Sequence, residues 1–304
     1  MTKLKLGVDL SFAKKRWPLA EEWIGIVKNQ LGLKYVEFDT DFLDPLFISE
    51  PTWMTIAAET KKLAAQNGIE IHNYFTGAMT HCVNLLSHPD ERIREDGMRW
   101  CREAIKLTTQ LGARGIGGHF DTISANDLQN PNRYKMIIDN LIKSFKELSK
   151  LAKEQGQEFI LWEQIYAPCE VPYTIAQSKE FMARINEGAH VPIPLVIDLG
   201  HMCCQNFEHN AEDTDPYEWL RQLGNITSVI HLQQCNGTGS CHWPFTKEYN
   251  AKGIIEPRRV IDAINESGAQ EMYLFFEIFF SLSQTDQEIL DQMKESVEYW
   301  QKYL

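Results

Sequence analysis

The sequence predicts an α/β chain folded as a (β/α)8 TIM barrel. Short apolar, β-branched runs alternate with amphipathic stretches along the whole chain, and there are eight such pairs. The 304 residues allot about 38 residues to each pair, which suits a closed barrel of parallel strands. The rival, a doubly wound open sheet, needs a glycine-rich phosphate turn after its first strand, and "GVDLSF" supplies none. The expectation is therefore one domain, a single barrel over residues 1–304.

The candidate strands are residues 5–12, 35–38, 69–75, 115–120, 158–163, 195–199, 228–233 and 272–278. "AEEWIGIVKNQLG" follows the first, and "AAETKKLAAQNG" precedes the third. "RIREDGMRWCREAIKLTTQLG", "IIDNLIKSFKELSKLAKEQG", "DPYEWLRQLG", "PRRVIDAINESG" and "QTDQEILDQMKESVEYWQKYL" follow later strands with apolar residues three or four apart. Several of these segments close on a glycine (Gly32, Gly68, Gly112, Gly156, Gly268), as helices ending in a left-handed cap do. "GIGG" at 115–118 has the wrong spacing for a dinucleotide fingerprint. A tight bend and a close backbone approach to a ligand are both open there.

Composition bounds the function. Hydrophobic residues make up 43% and charged residues 24%, ordinary for a globular chain. The net charge of -12 argues against nucleic acid or an anionic membrane as partner, since both select basic faces. The start "MTKLKLGVDL" has no apolar signal core, and no apolar run approaches the ~20 residues that span a bilayer. Seven scattered cysteines without CxxC pairs, two of them adjacent (Cys203, Cys204), suit a reducing, cytoplasmic setting.

In a barrel of this kind reactive groups sit at the C-terminal ends of the strands. Those positions hold Glu163 in "LWEQ", Asp198 and His201 in "IDLGH", His231 in "VIHLQQ" and Glu277 in "FFEIFF". A lone histidine on an apolar strand is usually a satisfied core residue, and a lone buried carboxylate often has an arginine partner. Four consecutive strands delivering ionisable groups at the same end fit a different explanation. Carboxylates crowded without a cation repel and protonate, and a divalent metal removes the conflict. Glu163, Asp198, His231 and Glu277 offer three hard oxygens and one imidazole, a set for Mn2+ or Mg2+, with Co2+ acceptable. A sugar carbonyl and its neighbouring hydroxyl would chelate such an ion, which would acidify the adjacent C–H and hold a cis-enediolate. Glu163 and Glu277 would remove and return the proton from opposite faces, inverting one carbon. A single shuttling base would give aldose–ketose isomerisation instead. The apolar wall around Glu277 is expected to raise its basicity.

The pattern E…DxxH…H…E on such a chain is similar to the xylose-isomerase-like sugar phosphate isomerase/epimerase superfamily. In its ketose 3-epimerase members these four positions hold Mn2+ and the two glutamates form the acid/base pair. The resemblance also implies that His201 touches substrate. "GVDLSFAKKRW" (7–17), "NLLSHPDERIR" (84–94), "HLQQ" (231–234) and "SCHWPFT" (240–246) narrow it to the branch acting on erythrulose 1-phosphate in four-carbon polyol catabolism. That branch implies a 3-epimerase of a short ketose 1-phosphate, with a small phosphorylated sugar as partner and a homo-oligomer left open. Free-ketose epimerases carry an arginine six residues after the ligand histidine, where this chain has Gly237. His242 is the candidate to replace it, with Gln233 and Ser240 beside it in the same segment.

"AKKRW" puts Lys14, Lys15 and Arg16 after the first strand. A charge run is usually a solvated face. Here it is also a candidate phosphate clamp, Arg16 forking onto two oxygens and the lysines acting as point charges. Phe12 is a candidate pocket wall. His72 and His119 lie at the ends of strands three and four, where core or rim roles are expected. A zinc nuclease of the endonuclease IV type would need more histidines at strand ends and a basic face. A non-catalytic sugar-binding barrel would have no use for a metal.

Overall fold

The computed structural model describes residues 1–204 and 210–304. Nine strands follow in chain order: β1 (Lys3–Asp9), β2 (Tyr35–Asp39), β3 (Glu70–Phe75), β4 (Gly115–Gly117), β5 (Phe159–Ile160), β6 (Trp162–Glu163), β7 (Leu195–Asp198), β8 (Thr227–Leu232) and β9 (Glu271–Phe276). β5 and β6 are one interrupted strand, so the chain runs as eight strand–helix repeats, the (β/α)8 pattern expected. The interruption at Leu161 has a cause. Ile160 and Trp162 donate to the carbonyls of Pro192 and Pro194, and a proline has no N–H to return to the ladder.

The chain divides into two compact units, Met1–Glu37 with Leu63–Glu70 and Val196–Leu304, and Phe38–Lys62 with Ile71–Leu195. In the first, β1 lies between β2 and β9, and β9 pairs in turn with β8, all parallel. Val8, Leu274, Phe275 and Phe276 on these strands are fully buried, as are Phe245, Met293 and Trp300. In the second, β4 pairs in parallel with β3 and β5. Its core centres on Phe120, Phe145, Trp162 and Phe181, whose ring centroids lie 4.6–5.6 Å apart; each such pair adds about 0.5–1.5 kcal/mol beyond burial.

The helices are set by their ends. Asn130 and Thr285 cap the helices Pro131–Glu154 and Asp286–Gln301 through side-chain oxygens, the latter as a capping box with Glu288. Proline opens Pro131–Glu154, Pro216–Leu223 and Pro257–Glu266. Gly32, Gly68, Gly112, Gly156 and Gly268 all have φ between 64° and 82°, the left-handed stops expected of them. The helix Ile175–Asn186, capped by Thr174, was not separately identified in the sequence. The "GIGG" run serves close packing. A Cβ on Gly115 would fall 2.3 Å from the Phe159 carbonyl oxygen, and one on Gly118 would fall 2.0 Å from Thr76 Oγ1.

Gly7 has a similar duty in β1. A Cβ there would meet the Phe275 ring and the Tyr35 carbonyl oxygen, both at 2.5 Å, and Phe275 is the β9 partner of His231. Gly7→Ala is expected to lower stability by about 1–3 kcal/mol through overpacking. Gly25→Ala, on a helix with nothing within 4 Å of the added carbon, should raise it by about 0.4–1 kcal/mol. Urea denaturation of both variants reads the difference, and equal effects would contradict the packing assigned to Gly7.

Candidate metal centre

Three strands of the first unit deliver their last residues to one level. β7 ends at Asp198, β8 carries His231, and Glu277 follows β9 directly. The backbone ladder extends past the strands: Leu199 donates to the His231 carbonyl at 3.2 Å, and Glu277 to the Leu232 carbonyl at 3.1 Å. His231 Nδ1 stands 3.2 Å from Glu277 Oε2 and 4.0 Å from Asp198 Oδ2. One donor atom from each of the three lies within 4.8 Å of the others.

The other face of the imidazole explains its orientation. His231 Nε2 lies 2.7 Å from Glu37 Oε1 on β2, and both side chains have no exposure. The contact is a close charge pairing and not an aligned hydrogen bond; a carboxylate this near favours the proton on Nε2, which leaves Nδ1 as the lone-pair donor. The sequence reading missed Glu37. An isolated acid within the apolar run "YVEFD" of β2 was the available signal.

Asp198 is fixed through one oxygen. Oδ1 accepts from the backbone of Gly200 at 2.6 Å, from His201 at 3.1 Å and from Gln233 Nε2 at 2.8 Å. Oδ2 is thereby turned towards His231. Gln233 has no exposure. Its Nε2 also reaches Ser240 Oγ at 2.9 Å, and its Oε1 accepts from the backbone of Cys241 and His242 at 2.9 and 2.5 Å. A Cβ on Gly200 would lie 2.2 Å from the Gln233 amide carbon, so the D-x-x-H turn needs its glycine for space.

His242 sits at φ 47°, a conformation that β-carbon sterics disfavour. A short antiparallel bridge between Gln234 and Trp243 returns the loop. The His242 ring stacks on Phe279 at 4.0 Å and 13°, with Nδ1 3.6 Å from Glu277 Oε2 and Nε2 3.1 Å from Ser240 Oγ. His201 is buried, its ring 6.1 Å from that of His242.

Glu277 differs from its neighbours in exposure: 16% for its side chain against none for Asp198 and His231. Burial alone would raise its carboxyl. The imidazoles of His231 and His242 beside it outweigh that and hold it well below the usual carboxylate range. The raised basicity expected from the apolar wall is thus corrected, because the imidazoles and not the phenylalanines face the carboxylate.

The remaining sequence candidates are placed as follows. Glu163 belongs to the second unit, where it ends β6, buried, its N–H donating to the Gly118 carbonyl at 3.0 Å. Lys14 Nζ lies 5.9 Å from the centre of the Phe279 ring; Lys15 is exposed. Phe12 is buried against Trp17. Arg16 is engaged elsewhere: it bonds Asp286 Oδ1 and the Gln284 carbonyl, both at 2.6 Å, and the Ser281 carbonyl at 3.2 Å. A phosphate-clamping Arg16 would have to leave these partners, so the structure assigns its fork to the 281–286 loop. His72 packs on Phe159 beside Asn73, the core role expected of it. All seven cysteines are free, with Cys203 Sγ 3.3 Å from Cys235 Sγ. Among the described residues no helix is long and apolar enough to cross a membrane.

The donor set fits a hard divalent cation. Two carboxylates beside a buried imidazole lone pair repel until a positive charge stands between them, and oxygen-rich sets with one imidazole suit Mn2+ or Mg2+. Residues 28–303 match the family model described as a xylose isomerase-like TIM barrel. The chain belongs to that family. It is 25% identical over 99% of its length to the D-erythrulose 1-phosphate 3-epimerase of Brucella abortus (strain 2308), covering 96% of that protein. A putative xylose isomerase from Rhodospirillum rubrum superposes with a TM-score of 0.90 at 26% identity, covering 98% of this chain and 99% of the other. The D-psicose 3-epimerase of Clostridium cellulolyticum H10 shares the fold, with a TM-score of 0.72 at 17% identity and 98% of each chain covered.

If Glu37 orients His231, Glu37→Gln should weaken Mn2+ binding about 10–100-fold while the thermal melt of the metal-free protein stays cooperative. Titration followed by the paramagnetic resonance of free Mn2+ measures this. Unchanged affinity would remove Glu37 from the centre.

Proposed function

We propose that this chain is a metal-dependent 3-epimerase of a short ketose 1-phosphate, erythrulose 1-phosphate being the substrate named for its Brucella abortus relative. Isomerase chemistry is the coarse part of this reading, since the relatives by sequence and by fold are sugar epimerases and isomerases. The observation that carries the finer part is the Asp198–His231–Glu277 cluster, in which one carboxylate is partly exposed and the other donors are buried. We assign Glu163 as the fourth ligand, on the resemblance drawn from the sequence. A divalent cation, Mn2+ by preference, would acidify the C–H beside the sugar carbonyl.

The roles of the side chains follow from their surroundings. Asp198 and His231 hold, because hydrogen bonds fix Asp198 from behind and the Glu37 carboxylate stands behind His231. Glu277 is the ligand that also meets substrate. Its side chain is partly exposed, and the imidazoles of His231 and His242 favour its ionised form, ready to accept a proton from carbon. Glu163 is the complementary acid that returns a proton to the other face, inverting C3. Ser240 and His242, held by Gln233, orient the sugar, with His201 beside them. Gln233 itself is a positioning residue. Lys14, 5.9 Å from the centre of the Phe279 ring on which His242 stacks, is our candidate cation for phosphate, with the exposed Lys15 beside it in sequence.

Proton NMR in D2O tests the reading with Mn2+-loaded protein, erythrulose 1-phosphate and free ketoses. Wild type should exchange deuterium at C3 and form the C3 epimer. Glu163→Gln and Glu277→Gln should each slow that exchange about 10²–10⁴-fold with the fold retained. Exchange at wild-type rate in both variants would end the acid/base assignment, and exchange at C1 in place of C3 would favour aldose–ketose isomerisation. Lys14→Ala should raise KM for the phosphorylated sugar more than for its free analogue, whereas Arg16→Ala should mainly lower stability. Equal KM effects on the two sugars would remove Lys14 from phosphate recognition.

A further inference from the structure

A second group of donors lies within the other unit. His81 sits on the short helix Met79–Cys82, His119 two residues past β4, and Glu170 in the loop that follows β6. His81 Nδ1 is 2.9 Å from Glu170 Oε1, and His119 Nε2 is 3.7 Å from the same oxygen. The two imidazoles lie face to face, with centroids 4.8 Å apart and 25° between planes. One donor atom from each of the three residues falls within 4.8 Å of the others.

We infer that His81, His119 and Glu170 form a second metal site, one for a borderline cation of the zinc type. Two donors bound about 2.0–2.1 Å from one tetrahedral ion lie roughly 3.3 Å apart, and the separations of 2.9 and 3.7 Å bracket that value. Two nitrogens and one oxygen select Zn2+ or Co2+ over the Mn2+ or Mg2+ favoured by the carboxylate-rich cluster. The surroundings are built. Thr76 Oγ1 donates to the His119 carbonyl at 2.8 Å, and Ile123 N–H donates to the Cys169 carbonyl at 2.8 Å, tying the Glu170 loop to the His119 segment. Ser87 and Asn84 pin the same segment through the Thr122 carbonyl. Thr122 Oγ1 stands 3.4 Å from His119 Nε2 and also contacts the carbonyls of Thr80 and His81. His119 has no side-chain exposure and Glu170 has 8%, but His81 has 37%. The site therefore opens to solvent on one side, giving an ion a path in and an exchangeable fourth ligand.

The test is zinc uptake by protein already saturated with Mn2+, using equilibrium dialysis and elemental analysis. Wild type should take up one zinc per chain with its manganese retained. His119→Ala and Glu170→Gln should each weaken that uptake tenfold or more, with the manganese content unchanged and circular dichroism confirming the fold. Cys203→Ser should leave zinc uptake as in wild type. Zinc that only replaces manganese, zinc uptake unaffected in the His119 and Glu170 variants, or uptake lost in Cys203→Ser would each overturn the site. Manganese content and epimerase activity are read separately, so failure here is distinguishable from failure of the proposed function.

Discussion

The interaction on which the rest depends is the pairing of His231 with Glu37. An imidazole with no exposure has to resolve both its nitrogens inside the protein. Glu37 stands 2.7 Å from Nε2, and a carboxylate there favours the proton on that nitrogen, leaving Nδ1 towards Asp198 and Glu277. If the tautomer were free, Nδ1 could carry the proton and merely donate to Glu277, giving an ion pair and not a ligand set. The buried carboxylate behind the histidine thus decides whether the carboxylates in front of it meet a lone pair or a hydrogen. Desolvating several charges costs several kcal/mol each. Packing alone would be better served by apolar side chains, so the cluster is better explained by what it can hold than by stability.

Gln233 extends that order outward. Its amide has two polar ends used in opposite directions: the nitrogen binds Asp198 and Ser240, and the oxygen collects the backbone N–H groups of Cys241 and His242. Asp198 and the loop that carries His242 are therefore tied together through one planar amide. This is how His242 can stay at a positive φ, a strain of order 1–3 kcal/mol. The Gln233 oxygen, the Phe279 stack and the bond from Phe279 N–H to its carbonyl all hold it there. Strain that three separate contacts maintain, beside the one partly exposed carboxylate of the cluster, is the feature that supports proposing His242 as a substrate group.

The strand ends were legible because burial there leaves few explanations for an ionisable side chain, and "LWEQ", "IDLGH", "VIHLQQ" and "FFEIFF" each show one. Glu37 was not, since a single acid in an apolar strand reads equally as a core ion pair until its partner is known. The direction of the Glu277 shift was also hidden. Sequence displays its apolar neighbours along the chain, whereas the imidazoles that decide its charge come from β8 and from the loop beyond it. The partners of Arg16 were hidden for the same reason. Its competitors Asp286 and the carbonyls near 281–284 lie some 270 residues away in sequence, and no local reading weighs them. The break at Leu161 was in principle visible, because prolines at 192 and 194 remove ladder donors opposite it.

The charge arithmetic sharpens the substrate question. A divalent cation bound by Asp198 and Glu277 alone would be neutralised, and a third carboxylate would leave the centre at roughly -1. A phosphate carrying about -1.5 to -2 charges gains nothing from such a centre and is repelled by a chain of net charge -12. Phosphate selectivity therefore has to come from the rim. With Arg16 tethered, Lys14 and the hydroxyl and imidazole of Ser240 and His242 are what this side of the rim can offer. Lys14 lies 5.9 Å from the centre of the Phe279 ring, on which the His242 ring also stacks, so a cation and a hydrogen-bonding ring share one aromatic neighbour. A free ketose needs only the ring and the hydroxyl. A ketose phosphate would need a cation as well, and Lys14 is the charge on which the proposed reading would separate the two substrate classes.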